Sequence, residues 1–227
     1  MPVTATVDLG ALRHNVRTLQ ECAAEADVMA VLKADAYGHG AVPVARTLAD
    51  EGVRHFAVAR PDEGIHLREA GLTGRILVLG APFPNHLSVY TSHDLDVTVS
   101  SVDAAEAVRQ HGTAAQPLRA HVKIDTGMGR VGLLPEELPE TLKVLSGLKR
   151  LRMEGVISHL AVADDPPHPF TDEQIGRFRQ CLEQVRRAGF APRYIHVSNS
   201  AALFSRDLPE CNLVRPGIVL YGALPSE

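Results

Sequence analysis

The chain has 227 residues, 45% of them apolar and 22% charged, which is the composition of an ordinary globular protein with enough apolar content for a packed core. Its 23 Lys and Arg against 27 Asp and Glu leave a net charge of −4, which argues against non-specific binding to nucleic acid or to an anionic membrane. No apolar run approaches the roughly 18 residues that span a bilayer. Residues 1–8 have neither the basic nor the apolar region of a secretory signal, and Cys22, Cys181 and Cys211 are too scattered for a disulfide framework or a zinc site, so a reducing cytoplasm is expected.

Taken in chain order, the pattern alternates. Asp8 precedes an amphipathic stretch, 10–26, in which Leu12, Val16 and Leu19 share a face, and its carboxylate is placed to cap that helix. Short β-rich apolar runs then recur at 28–32, 55–58, 76–79, 96–99, 119–124, 153–158, 194–197 and 213–214. Helical stretches lie between them at 42–51, 61–70, 102–110, 136–145 and 171–188. The last opens Thr171-Asp172-Glu173-Gln174, which reads as a capping box. No repeat, low-complexity tract or linker interrupts the series.

Eight strands separated by helices predict an α/β fold of the TIM type, one (β/α)8 barrel over residues 1–227, near the lower end of the ~250 residues such a barrel takes. The competing open, doubly wound sheet calls for a glycine-rich phosphate turn after the first strand. Gly38-His39-Gly40 stands there, but the G-x-G-x-x-G spacing fails at Pro43. In a barrel, chemistry belongs at the C-terminal ends of the strands, and polar residues stand at those ends here.

Lys33 ends the first apolar run. A lysine pressed against an apolar strand end loses hydration, which favours the neutral, nucleophilic amine; a lysine snorkelling into water has the same local sequence. Four residues on, Tyr37 offers a hydroxyl to an anion, and Gly38 and Gly40 frame His39. The octapeptide Lys33-Ala34-Asp35-Ala36-Tyr37-Gly38-His39-Gly40 resembles the pyridoxal-phosphate attachment motif of the alanine racemase family. The resemblance extends over essentially the whole chain, with later segments matching in order and spacing.

It implies a fold-type III pyridoxal 5'-phosphate enzyme that racemises alanine and so supplies D-alanine for peptidoglycan. Lys33 then holds the cofactor covalently and serves as a catalytic base, and Tyr37 contacts the phosphate. In His121-Val122-Lys123-Ile124-Asp125-Thr126-Gly127-Met128-Gly129-Arg130, spacing puts Lys123 at a strand end and Arg130 beyond a glycine-rich loop, where a guanidinium suits a carboxylate. The resemblance makes Arg130 the catalytic arginine that orients the substrate carboxylate, with Lys123 open to carbamylation. His159, at the sixth strand end, steadies the arginine on the pyridine ring, which is Arg215. Asn199 and Ser200 read as helix caps or as the phosphate site at a helix start, and the resemblance gives Ser200 the phosphate and Asn199 its surroundings. Gly217 and Ile218 add backbone N–H groups, and Leu79 forms a wall beside the cofactor.

The resemblance further implies a homodimer and a second, mostly β domain carrying a tyrosine base that reaches the partner's site. Tyr37, Tyr90, Tyr194 and Tyr221 do not match that tyrosine. The two-base machinery is therefore expected to be incomplete in these 227 residues, and dimerisation weak. A barrel-only pyridoxal-phosphate homeostasis protein without racemase activity is the alternative; a folded module with a degenerate site is a third. No metal site is expected.

Overall fold

In the computed structural model, which describes residues 3–111, 117–148 and 151–225, the alternating elements close into a barrel. Asp8 Oδ1 accepts the backbone N–H groups of Gly10 and Ala11 at 2.7 and 3.1 Å, satisfying two donors that a helix start leaves open. The helix it caps, α1 (Leu9–Ala23), buries Leu12, Val16 and Leu19. The strands are β1 (Asp27–Val31), β2 (His55–Val58), β3 (Arg75–Val78), β4 (Leu95–Val99), β5 (Leu118–Lys123), β6 (Leu151–Ile157), β7 (Tyr194–His196) and β8 (Leu213–Val214). Each lies within two residues of the bounds read from the sequence, because the apolar centre of each is buried on both faces, although β6 opens on the unburied Leu151-Arg152-Met153.

All pairings are parallel, in the order β7-β6-β5-β4-β3-β2-β1-β8. The seam between β7 and β8 carries no ladder. It closes through Asn212 N–H to Ile195 O at 3.1 Å, Arg215 N–H to Ser198 O at 3.0 Å and Ile195 N–H to Asn212 Oδ1 at 2.9 Å. The open-sheet alternative is thereby excluded.

Outside the strands lie α3 (Ala41–Asp50), α4 (Pro61–Glu69), α5 (Leu87–Ser92), α6 (Val102–His111), α7 (Leu138–Leu145), α8 (Phe170–Arg187) and the short α9 (Ala202–Ser205). The segment α2 (Lys33–Gly38) is helical in the opposite hand. The sequence does not reveal α5, which is too short to show a period, whereas α9 follows the helix start read at Asn199 and Ser200. Among the described residues no helix is long and apolar enough to cross a membrane.

The capping box read at Thr171–Gln174 does not form. Helix α8 starts one residue earlier, after Pro169, and Thr171 Oγ1 is buried without a hydrogen-bond partner. Gln174 is buried and turned to the barrel's loops instead, where its Oε1 accepts from Ala161 N–H at 2.8 Å.

The N-terminal end of the barrel is polar but neutralised. Asp96, 2% exposed, accepts from Arg75 Nε at 3.0 Å and from Arg119 Nε at 2.6 Å. His121 Nε2 lies 3.6 Å from the same carboxylate, and its Nδ1 is 2.8 Å from His196 Nε2. Truncating one partner of such a buried network leaves the others uncompensated. Asp96→Ala is expected to destabilise the chain by roughly 3 kcal/mol, read from denaturant unfolding; a change within experimental error would show that the network is solvated and dispensable.

Candidate functional site

At the opposite end the strand termini converge on one cavity of about 570 Å³, a size suited to a small ligand or cofactor. Every residue that the sequence reading gave a role toward cofactor or substrate lines it, from Lys33 after β1 to Ile218 after β8.

Lys33 opens the unusual segment. Ala34, Asp35, Ala36 and Tyr37 all hold φ between +52° and +55°, and Gly38 follows at +83°. Left-handed helix costs L-residues roughly 1–2 kcal/mol each, so tertiary contacts must hold it. Ala36 N–H donates to Leu32 O at 2.9 Å, and Asp35 Oδ1 accepts from Ala41 N–H at 2.6 Å, tying the turn to the start of α3. The turn carries Tyr37 back beside the lysine, whose Nζ lies 5.5 Å from the Tyr37 ring centre. Gly217 passes so close that a Cβ there would sit 2.6 Å from Tyr37 Oη. Only glycine leaves the hydroxyl room.

Across the cavity, Arg215 is 4% exposed, and its guanidinium meets carbonyls rather than a carboxylate. Nη1 donates to His196 O at 2.5 Å; Nη2 donates to Ser158 O at 2.6 Å and to Val197 O at 3.2 Å. Burial pulls its pKa down to about 10, which still leaves it charged at neutral pH. His159 Nδ1 lies 3.5 Å from Arg215 Nη2. Burial first, then the Arg215 charge, pushes His159 down to about 3, so it is neutral and able to accept.

Lys123 is 7% exposed at the end of β5, and burial, then Arg215 and Arg130, draws its pKa down to about 8. Arg130 stands on an exposed loop wound around Asp125. That carboxylate accepts from the N–H groups of Gly127, Gly129 and Arg130 at 2.9, 3.1 and 2.9 Å. The loop is pinned at its base by Asp125 N–H to Leu133 O at 2.7 Å.

Asn199 is a cap: its Oδ1 accepts from Ala201 and Ala202 N–H at 3.1 and 3.0 Å. Ser200 Oγ accepts from Gly217 N–H at 2.9 Å, which joins the loops after β7 and β8. Leu79, just past β3, and the half-exposed Ile218 complete the apolar wall. Gln174, read in the sequence only as a cap, also donates to His159 O at 3.1 Å and so braces that loop.

Lys33, Lys123, Arg130 and Arg215 all face this one cavity, and among the described residues none of them forms an ion pair. Among the described residues Asp164 is the sole carboxylate on its wall. The site therefore attracts an anion, or a ligand with more than one anionic group.

Residues 7–225 match the family described as alanine racemase, N-terminal domain. The chain belongs to this family. It is 45% identical to the alanine racemase of Geobacter sulfurreducens over 233 residues, covering 99% of this chain and 60% of that relative. Among solved structures it is similar to an alanine racemase of Clostridium difficile 630 in complex with cycloserine, at a TM-score of 0.90 and 35% identity, covering 100% of this chain and 64% of that one. The alanine racemase of Streptomyces coelicolor A3(2) gives a TM-score of 0.87 at 40% identity, covering 97% and 60%. The chain thus spans about 60% of the length of the curated relatives it matches.

Lys123 gives the family's cavity a measurable pH signature. Between about pH 8 and its ordinary value of 10.5, the unfolded chain holds the Lys123 proton and the folded chain does not. Its contribution to stability therefore rises with pH across that window. Calorimetry without added anions should find Lys123→Met more thermostable than the parent chain at pH 7, with the alkaline rise lost; a less stable variant would mean that the ammonium is already compensated.

Proposed function

We propose that this chain is the pyridoxal-phosphate-binding barrel of an alanine racemase and takes part in interconverting L- and D-alanine. The observation that carries the reading is the convergence of Lys33, Tyr37, Ser200 and the Gly217 backbone on one cation-rich cavity. The Gly217 cradle beside the Tyr37 hydroxyl, the Ser200 hydroxyl and the backbone of Ile218 fit a phosphate. The loops after strands seven and eight are where TIM barrels usually place one.

When bound, pyridoxal phosphate supplies an electron sink that acidifies the α-proton of an amino acid attached to it. The remaining tasks fall to the chain. Lys33 would supply the amine that holds the cofactor, and its free amine would accept or return a proton on the side of the cavity it occupies. Arg130 grips the substrate carboxylate through two parallel N–H donors. Arg215, already protonated and held on three carbonyls, would present the bound cofactor with a fixed positive charge that cannot accept a proton and so would disfavour a protonated ring. The group would then supply a weaker electron sink, which suits proton exchange over transamination.

His159 steadies Arg215, and Asn199 caps the turn that carries Ser200. Leu79 closes the wall. Lys123, drawn to about 8, is partly neutral in mild alkali, and a carbamate on its amine would put an anion next to Arg130. Supply of D-alanine to peptidoglycan, in the cytoplasm, is the role that follows.

Lys33→Ala should abolish both the yellow absorbance with pyridoxal phosphate and the adduct trapped on that residue by borohydride. An undiminished adduct at one equivalent per chain in the variant would overturn the assignment.

Racemisation takes a proton from one face of the substrate plane and returns one to the other. The family resemblance gives Lys33 the D-alanine face. Deuterium wash-in followed by NMR should therefore show these 227 residues exchanging the α-proton of D-alanine faster than that of L-alanine. Net racemisation should be lower by about 10²–10⁴-fold than with a base on each face. Equal, fast exchange of both enantiomers would place a second base inside the chain.

A further inference from the structure

Glu63 is read by neither the sequence motifs nor the mechanism. It lies on α4, outside the ligand cavity, and its carboxylate reaches two loops at once. Oε1 accepts from Ala34 N–H at 2.7 Å; Oε2 accepts from Ala59 N–H at 2.7 Å and Arg60 N–H at 2.9 Å. The Oε2 bonds are those of a helix capping box, in which a third-position glutamate reaches back over its own helix start. The Oε1 bond is not. Ala34 directly follows Lys33 and is the first residue of the left-handed turn, where no carbonyl within the turn can meet its N–H. Among the described residues Glu63 has no cationic side chain as partner, so its charge is directed entirely at these three amides.

We infer that Glu63 is a positioning residue for Lys33. Its carboxylate fixes the peptide between Lys33 and Ala34 against the end of β2. That sets the direction in which the lysine leaves β1 and holds the first strained residue of the turn. The clamp works with Asp35, which secures the exit of the same turn on Ala41 N–H at 2.6 Å. Together the two carboxylates grip both ends of a segment that has no preference of its own for this hand. The link from clamp to cofactor rests on the proposed function; the clamp on Ala34 does not.

The arrangement demands a carboxylate. Both oxygens must accept, whereas a glutamine amide has one acceptor and turns two donors towards the other loop's N–H. Aspartate, one methylene shorter, cannot span the two loops. A mere helix cap would lower stability in E63Q and leave Lys33 untouched.

The test compares the parent chain with E63Q, E63D and E63A. D8A, which removes the cap of α1, serves as a control for general loss of stability. Two quantities are read: hydrogen exchange of the Ala34 amide by NMR in the cofactor-free chain, and affinity for pyridoxal phosphate by absorbance titration with borohydride trapping at Lys33. E63Q should raise Ala34 exchange about tenfold or more and weaken cofactor affinity about tenfold, as expected for the loss of a hydrogen bond to a charged acceptor. D8A, at a comparable loss of melting temperature, should change neither. If E63A does not fold, E63Q and E63D decide. Ala34 exchange and cofactor affinity in E63Q matching those of D8A would overturn the inference. A parent chain that takes up no pyridoxal phosphate would overturn the proposed function instead, and Ala34 exchange would still decide the clamp.

Discussion

The barrel and its site depend on one buried guanidinium. Between β7 and β8 the backbone ladder is missing, and Arg215, just past β8, spans the gap with its side chain. Its donors end on the carbonyls of His196 and Val197 at the end of β7 and of Ser158 beyond β6. A charge buried to this degree is costly unless hydrogen-bonded, and carbonyl dipoles meet both terminal nitrogens here without cancelling the charge. The same residue therefore fastens the seam and leaves a fixed positive charge at the cavity wall. His159 and Lys123 inherit their lowered pKa values partly from it.

The two ends of the barrel treat charge in opposite ways. At the N-terminal end, Arg75 and Arg119 pair with Asp96, Glu154 and Asp94 and are neutralised. At the C-terminal end, lysines and arginines gather without counter-ions among the described residues. The first arrangement stabilises the closed sheet. The second leaves electrostatic work undone until an anion arrives, as a binding site requires.

Strain is concentrated at one place. The four consecutive left-handed residues after Lys33 are unfavourable in isolation, and the surrounding structure over-determines them through Leu32, Ala41 and Glu63. The result is a short, stiff arm that brings Tyr37 next to the lysine, while Gly217 clears space for the hydroxyl.

The sequence alone determined the elements whose physics is local. The eight apolar runs, the Asp8 cap and the polar residues after β1, β5, β6, β7 and β8 were legible because burial on both faces writes near-continuous apolar runs and a cap needs only its own neighbours. The motif around Lys33 carried the family. Tertiary structure decided what rests on distant partners. Gln174 has the spacing of a cap residue but is buried against the His159 loop, since α8 packs on that loop. The handedness of Ala34–Tyr37 has no sequence signal, because L-residues adopt it only under outside constraint. The reach of Glu63 to Ala34 links residues 29 positions apart, and only closure of β1 on β2 brings that carboxylate and that amide within a hydrogen bond.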